Sequence, residues 1–263
     1  MNLKVLIDKL FKRSDDAKRN AKSEDGGQHH VRGGVHRLAS ARVKAISDCR
    51  RVRLLAAALS AQRGGTPDCG TGDKIRRLTE AAKSAGLLLD RAHVTTLGDL
   101  VSKRTGESEV YWNRSESAFY KVKNPDAKRP LKHTSESDWI YEHIIHNILF
   151  PECAYEFIGI TIDIIGQIRT VLKQKAVRTE TFPTEEQIDV SLAERGLVRE
   201  DKYFFGDGVV SVTDVGAHGD NVLLGDDGKV YFIDPLIRLD RSAAEVIEWL
   251  TGFNPITMYD DIC

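Results

Sequence analysis

The sequence predicts an α+β fold built on an antiparallel sheet. Three observations carry that reading. Short apolar-rich runs follow one another at turn-length spacing (Leu97–Arg104, Val110–Trp112, Ala118–Val122), the pattern of adjacent strands. Stretches of helical spacing flank them, Lys74–Ala85 before and one within Pro130–Pro151 after. A late hairpin is written plainly: Val222–Leu224, then Gly225-Asp226-Asp227-Gly228, then Val230–Ile233, with Asp-Gly between apolar runs marking a tight turn.

The totals set the frame. The 263 residues suffice for one large domain or two small ones, and 41% hydrophobic content supports a core. A formal net charge of -1 gives no global pull toward nucleic acid or membrane. No apolar run approaches the ~20 residues of a membrane span. The start, MNLKVLIDKLFKR, is too interrupted by charge for a signal peptide. Cys49, Cys69, Cys153 and Cys263 lie far apart with no CxxC pair, so they read as reduced thiols of a cytoplasmic protein, without a zinc site.

Residues 1–72 read as an N-terminal extension. Asn2–Leu10 can form a short amphipathic helix, and Lys12–Gly34 is too polar to fold alone. Within Val35–Gln62 a basic helical pattern interleaves Arg42, Lys44, Arg50, Arg51 and Arg53 with Val43, Ile46, Val52, Leu54 and Leu55. Segment 35–53 is either a nucleic-acid contact or the solvated face of an amphipathic helix. Gly64–Gly72 is a linker by composition.

The compact domain, residues 73–263, is expected to open with Asp73 capping Lys74–Ala85 and Gly86 stopping that helix. Three strands follow. Between the first two lies Thr105-Gly106-Glu107-Ser108, where Gly106 is either a plain turn residue or a place where backbone N–H groups approach phosphates. On the third strand Phe119, Lys121 and Lys123 share one face. A Lys projecting from that strand can reach phosphate oxygens, or stand as an exposed edge-strand charge. Ser135 and Asp138 resemble a capping box for a helix running to about Phe150, with Ile140, Ile144, Ile145 and Ile148 inward and Glu136 and Glu142 on its flanks. Tyr155–Thr161 and Gln167–Lys173 read as an antiparallel pair, and the exit Gln174–Val177 can offer backbone groups to a planar ligand edge. Phe182–Gly196 holds a short helix capped by Thr184, and Ser242–Leu250 a last one.

The stretch Val209–Pro235 concentrates the polar chemistry. Strand Val209–Thr213 ends on Asp214, Asn221 opens the hairpin, and its return strand ends on Asp234. Two oxygen ligands beside a second carboxylate suit a hard cation with a base next to it. Phosphoryl transfer uses such a set. An ordinary hairpin with Asp and Asn at its turns would carry the same letters.

The order TGESEVYW, FYKVK, acidic helix, VLKQKAV, VTDVGAHGDNVLL and YFIDP resembles a protein-kinase-like fold. It is most similar to the kinase-like domain of polyvalent proteins carried by phages and conjugative elements, which shares the helix before the first strand, an N-x-L-F-P stretch (Asn147–Pro151) and an IDP ending. The likeness covers roughly Asp73–Arg241. It implies an antiparallel N-lobe sheet over about 73–176 and a reduced helical C-lobe over about 177–263 with a catalytic hairpin. It also implies an ATP- and Mg²⁺-dependent phosphotransferase of unknown acceptor, protein or small molecule, or a catalytically inactive pseudokinase or scaffold. By resemblance, Lys121 is the phosphate-binding strand lysine, Glu142 or Glu136 its helix partner, and Gly106 lies over the phosphates. Gln174 and Ala176 belong to the hinge around adenine. Asp214 is the catalytic base, and Asn221 and Asp234 are the Mg²⁺ ligands. Two departures stand out. Six residues, not four, separate Asp214 from Asn221, which makes Asp220 a rival base, with His218 in the same loop. Pro235, not Phe-Gly, follows Asp234.

Overall fold

The computed structural model describes residues 45, 47–58, 71–104, 108–123, 138–202, 204–217 and 221–252. The expectations for residues 2–34, for most of 64–72, and for Gly106, Ser135, Glu136, His218 and Asp220 lie outside them.

Alternation in the 99–123 region produces a meander. Strands β1 (Asp99–Arg104), β2 (Ser108–Asn113) and β3 (Ala118–Lys123) pair in sequence, and β4 (Tyr155–Ile162) and β5 (Ile168–Lys175) complete a five-stranded sheet in the order β1-β2-β3-β5-β4. Every pairing in it is antiparallel. Period two then sorts β3 between two faces. Tyr120 and Val122 pack with Tyr111, Val171 and Val94 on one side, while Phe119 joins the main core on the other. Val94 belongs to α3 (Arg91–Val94), a short helix capped by Asp90.

Helix α2 (Thr71–Ser84) begins three residues before the expected Lys74, so Asp73 lies within its first turn and not at its cap. The chain then enters a left-handed turn at Gly86 (φ 67°) and lays Leu88 beside Ile160 on β4. This contact explains Gly159: a Cβ there would sit 2.2 Å from the Leu87 carbonyl oxygen. Helix α1 (47–58) precedes the expected domain start, and its Cys49, Val52 and Leu55 enter the same core as the sheet. Its Arg50, Arg51 and Arg53 face solvent, and Arg51 approaches Glu156 at 3.9 Å. Cys49 and Cys153 are buried free thiols.

Helix α4 (Asp138–Leu149) buries Ile140, Ile144 and Ile145 completely, as their spacing requires. It continues through a 3₁₀ turn (Pro151–Cys153). Phe150 stacks against Phe232 of the late hairpin with centroids 4.8 Å apart, joining the two halves of the chain. A side chain of this class contributes roughly 1.5–3 kcal/mol on full burial.

The C-terminal half, expected as a reduced helical unit around one hairpin, holds more strand than helix. Strands β6 (Thr179–Thr181), β10 (Val222–Gly225) and β11 (Val230–Phe232) form a sheet in the order β11-β10-β6. A second sheet, β12-β9-β8-β7, comprises β7 (Val198–Asp201), β8 (Phe204–Gly206), β9 (Val210–Thr213) and β12 (Leu236–Leu239). Four of these seven strands (β6, β7, β8, β12) were not expected. At three or four residues each, they are too short to show a period. The two helices match expectation: α5 (Glu185–Ala193) carries a Thr184–Gln187 capping box, and α6 (Ala243–Thr251) carries a Ser242–Glu245 box and ends on Gly252 at φ 66°. Helix α6 packs on α4. Among the described residues no helix is long and apolar enough to cross a membrane.

Candidate functional site

Two backbone registers bring the polar residues of 209–235 together. On the first, β12 pairs with β9 so that Leu236 faces Thr213. Asp214 follows Thr213 directly, at the end of β9 beside which β12 begins, two residues after Asp234. On the second, the β10–β11 hairpin sets Val222 opposite Phe232, and Ile233 N–H donates to the Asn221 carbonyl at 2.8 Å. Asn221 is thus placed across from the residue preceding Asp234. Residues far apart in sequence arrive at one sheet junction for reasons of strand pairing alone.

Asp214 adopts φ 61°, one of two non-glycine residues in the left-handed region among those described. Asp tolerates that region better than most residues. Its side chain is exposed. The Asn221 amide donates to the Asp214 carboxylate and also lies 3.3 Å from the Asp214 carbonyl oxygen. The following turn is tied down from α5, since Ala217 N–H donates to the Glu185 carboxylate at 3.0 Å.

Asp234 sits in different surroundings. The two carbonyls before it are held by five side chains. His146 Nε2 lies 3.0 Å and Cys153 Sγ 3.2 Å from the Phe232 carbonyl oxygen. A carbonyl only accepts, so Nε2 is assigned the proton. The Ile233 carbonyl oxygen receives Lys121 Nζ at 3.0 Å, Tyr155 Oη at 2.7 Å and Gln174 Nε2 at 3.1 Å. The Asp234 carboxylate then meets Lys123 Nζ at 2.7 Å, Tyr155 Oη at 3.0 Å and Lys121 Nζ at 3.7 Å. Both ammonium groups lie over the Tyr155 ring, Lys121 Nζ 5.0 Å and Lys123 Nζ 5.2 Å from its centroid.

Burial and charge act on this cluster in opposite directions. Burial pulls the Lys121 ammonium down to about 8, against the pull of Asp234. Burial also works against the Asp234 charge, but Lys121 and Lys123 with the hydrogen bonds from Lys123 and Tyr155 prevail and hold it below the usual carboxylate range. Burial lowers His146 to about 3, so its imidazole is neutral, and raises the Tyr155 phenol.

The other expected positions resolve as follows. Gln174 is paired on both sides within β5, and its side chain turns inward to the Cys153 and Ile233 carbonyls. Ala176 N–H donates to the Ser117 carbonyl at 2.9 Å. Glu142 lines a pocket with Lys123, His146, Tyr155, Thr170 and Asp234. Sequence reasoning assigned no role to Lys123, Tyr155 or His146. Lys123 was findable, being two residues from Lys121 on one face. Tyr155 and His146 carry no such signal, because their partners lie 78 to 86 residues away.

No group of three or more His, Cys, Asp or Glu among the described residues forms a metal cluster. The oxygen donors at Asn221 and Asp234 instead fit a hard cation, which takes one or two protein oxygens and fills the rest of its shell with water or phosphate. The second half of β3 carries two lysines, Lys121 and Lys123, both beside the Asp234 carboxylate.

Comparison with curated proteins and with solved structures returns no match. A family model described as a serine/threonine/tyrosine kinase found in polyvalent proteins matches residues 72–241, which span the five-stranded sheet, α4 and the whole Asp214–Asp234 junction, and the chain belongs to that family of polyvalent-protein kinases.

Proposed function

We propose that the chain is an ATP- and Mg²⁺-dependent phosphotransferase acting on an acceptor hydroxyl. The single observation that carries this is that Asn221 is hydrogen-bonded both to Asp214 and to the residue before Asp234, whose carboxylate holds Lys123. Asn221 and Asp234 would hold Mg²⁺, which with the nucleotide bound would neutralise charge on the phosphates. Asp214, exposed and oriented by Asn221, would position the acceptor hydroxyl and take its proton. Lysine ammoniums on β3 bring positive charge to the phosphate end, and Glu142 stands on the pocket wall beside them. Gly106 would cover the phosphates, and the β5 exit at Gln174–Ala176 would face the adenine.

A second reading, a nucleotide-binding or scaffold module without transfer, draws on one observation. The Ala176 N–H, expected for the adenine edge, is donated to Ser117. One experiment separates the two. Transfer of γ-phosphate from radiolabelled ATP, to the chain itself and to casein, is measured for wild type and Asp214→Asn, together with the melting shift on Mg·ATP. We expect Asp214→Asn to lose transfer by at least about a hundredfold while keeping the Mg·ATP shift. Equal transfer by both proteins overturns Asp214 as the base. A shift of about 2.7 kcal/mol in stability at ~100 times the dissociation constant, with no transfer by wild type, supports the second reading.

A further inference from the structure

The two lysines of β3 are not equivalent. We propose that Lys123, and not Lys121, is the ammonium that meets the nucleotide phosphates, and that Lys121 is a positioning residue that fastens the Ile233–Asp234 segment to the sheet. This rests on the phosphotransferase reading above and divides its positive charge between two tasks.

An ammonium has three N–H donors. Around Lys121 Nζ stand the Tyr155 hydroxyl and the Ile233 carbonyl oxygen, each at 3.0 Å, and the Asp234 carboxylate at 3.7 Å. Two hydrogen bonds and an ion pair take up this ammonium, and the side chain is 4% exposed. A phosphate could reach this nitrogen only by breaking bonds that hold the hairpin in place. Among the described residues Lys123 Nζ has a single acceptor within hydrogen-bond distance, Asp234 Oδ1 at 2.7 Å, and its side chain is 20% exposed. It also lines the pocket against α4, which Lys121 does not.

Strand register supports the same division. Lys123 is the last residue of β3 and pairs with Ser108 and Thr170. Lys121 pairs with Val110 and Leu172, two residues further into the sheet on each side. Lys123 thus stands at the edge of the strand and Lys121 inside it. The chemistry is also consistent. Lys123 is bonded to the carboxylate that the cation would need. With a phosphate chain bound, its ammonium would have another anion to hold, leaving the Asp234 carboxylate for the cation.

The test is binding of two ligands, Mg·ATP and adenosine, by calorimetry, with the melting temperature of each variant alone. The ligands differ only in the phosphates and their ion. For Lys123→Met we expect affinity for Mg·ATP to fall about tenfold or more, the loss of a charge-assisted contact, with adenosine affinity near wild type and a smaller fall in melting temperature than for Lys121→Met. Lys123→Arg should recover part of the loss. For Lys121→Met we expect a lower melting temperature and a loss shared by both ligands. Wild-type Mg·ATP affinity in Lys123→Met, or a loss in Lys121→Met or Lys121→Arg confined to Mg·ATP, overturns the division. A wild-type chain that binds neither ligand sinks the phosphotransferase reading itself, and the division with it. Should Lys121→Met fail to fold, the Lys123 pair decides alone.

Discussion

The two aspartates of the junction sit one strand apart and are held in opposite ways. Asp234 follows two carbonyls caged by His146, Cys153, Lys121, Tyr155 and Gln174, and its carboxylate faces two ammoniums. Asp214 lies exposed at φ 61°, with Asn221 on its carboxylate and the rest of its loop fastened through Glu185. The difference is one of local cost. Buried polar groups that are fully partnered specify a single arrangement, because each lost partner leaves a desolvated group behind. An exposed group in a tolerated turn can be changed or moved at little expense. A site that must fix phosphates but admit an acceptor benefits from having one of each. The cage supplies the fixed side and the Asp214 turn the accessible one.

The largest expected break in this contrast is Asp234→Ala. It leaves the Lys121 and Lys123 ammoniums facing each other without their shared carboxylate. Removing one partner of a buried pair costs several kcal/mol. Because the Asp234 side chain keeps 36% exposure, solvent screening lowers the expected figure to about 2–3 kcal/mol. Urea unfolding measures it. A midpoint equal to wild type would mean that the cage does not depend on the charge it surrounds.

Acid sharpens the contrast next. His146 is lowered from 6.5 to about 3 by burial, so below pH 6.5 the unfolded chain takes up a proton that the folded chain refuses. Stability therefore rises with pH between about 3 and 6.5 and falls as the solution is acidified through that window. The slope should approach ~1.4 kcal/mol per pH unit from this residue alone. Asp234 acts in the same direction but lower down, its contribution being lost only once the pH drops below the ordinary carboxylate value of 3.8. Denaturant midpoints for wild type and His146→Gln at pH 7 and pH 5 separate the two. A His146→Gln protein that keeps the full drop between those values would place the acid sensitivity elsewhere.

The same contrast governs what could be read in advance. The individual strands of the five-stranded sheet, α4, the β10–β11 hairpin and the Thr184 cap were legible, because each is written within a dozen or so neighbouring residues. The places of Asp214, Asn221 and Asp234 at strand ends were legible for a related reason: the apolar runs beside them are plain. The cage was not. Tyr155 reads as the first residue of a strand and His146 as a polar break in an apolar helix, and neither says that it will meet the Phe232 or Ile233 carbonyl. Gln174 was read for its backbone, whereas its side chain carries the contact. Contacts made across 59 to 86 residues depend on the assembled core, and no local period encodes them.

The smallest effect is the most direct test of the accessible side. Asp214→Gly removes the side chain that would take the acceptor proton, and it places at φ 61° the one residue that meets no steric penalty there. The relief of a left-handed side chain and the added freedom of the unfolded chain nearly offset, each being worth up to about 1 kcal/mol. The lost bond from Asn221 is exposed and contributes little. We therefore expect an unfolding midpoint within about 0.5 kcal/mol of wild type, the range of ordinary surface substitutions, alongside lost phosphate transfer. If Asp214→Gly were instead as destabilising as Asp234→Ala, the Asp214 turn would be a second structural clamp. The division into a fixed and an accessible side would then fail, because an acceptor would have no adaptable wall to approach.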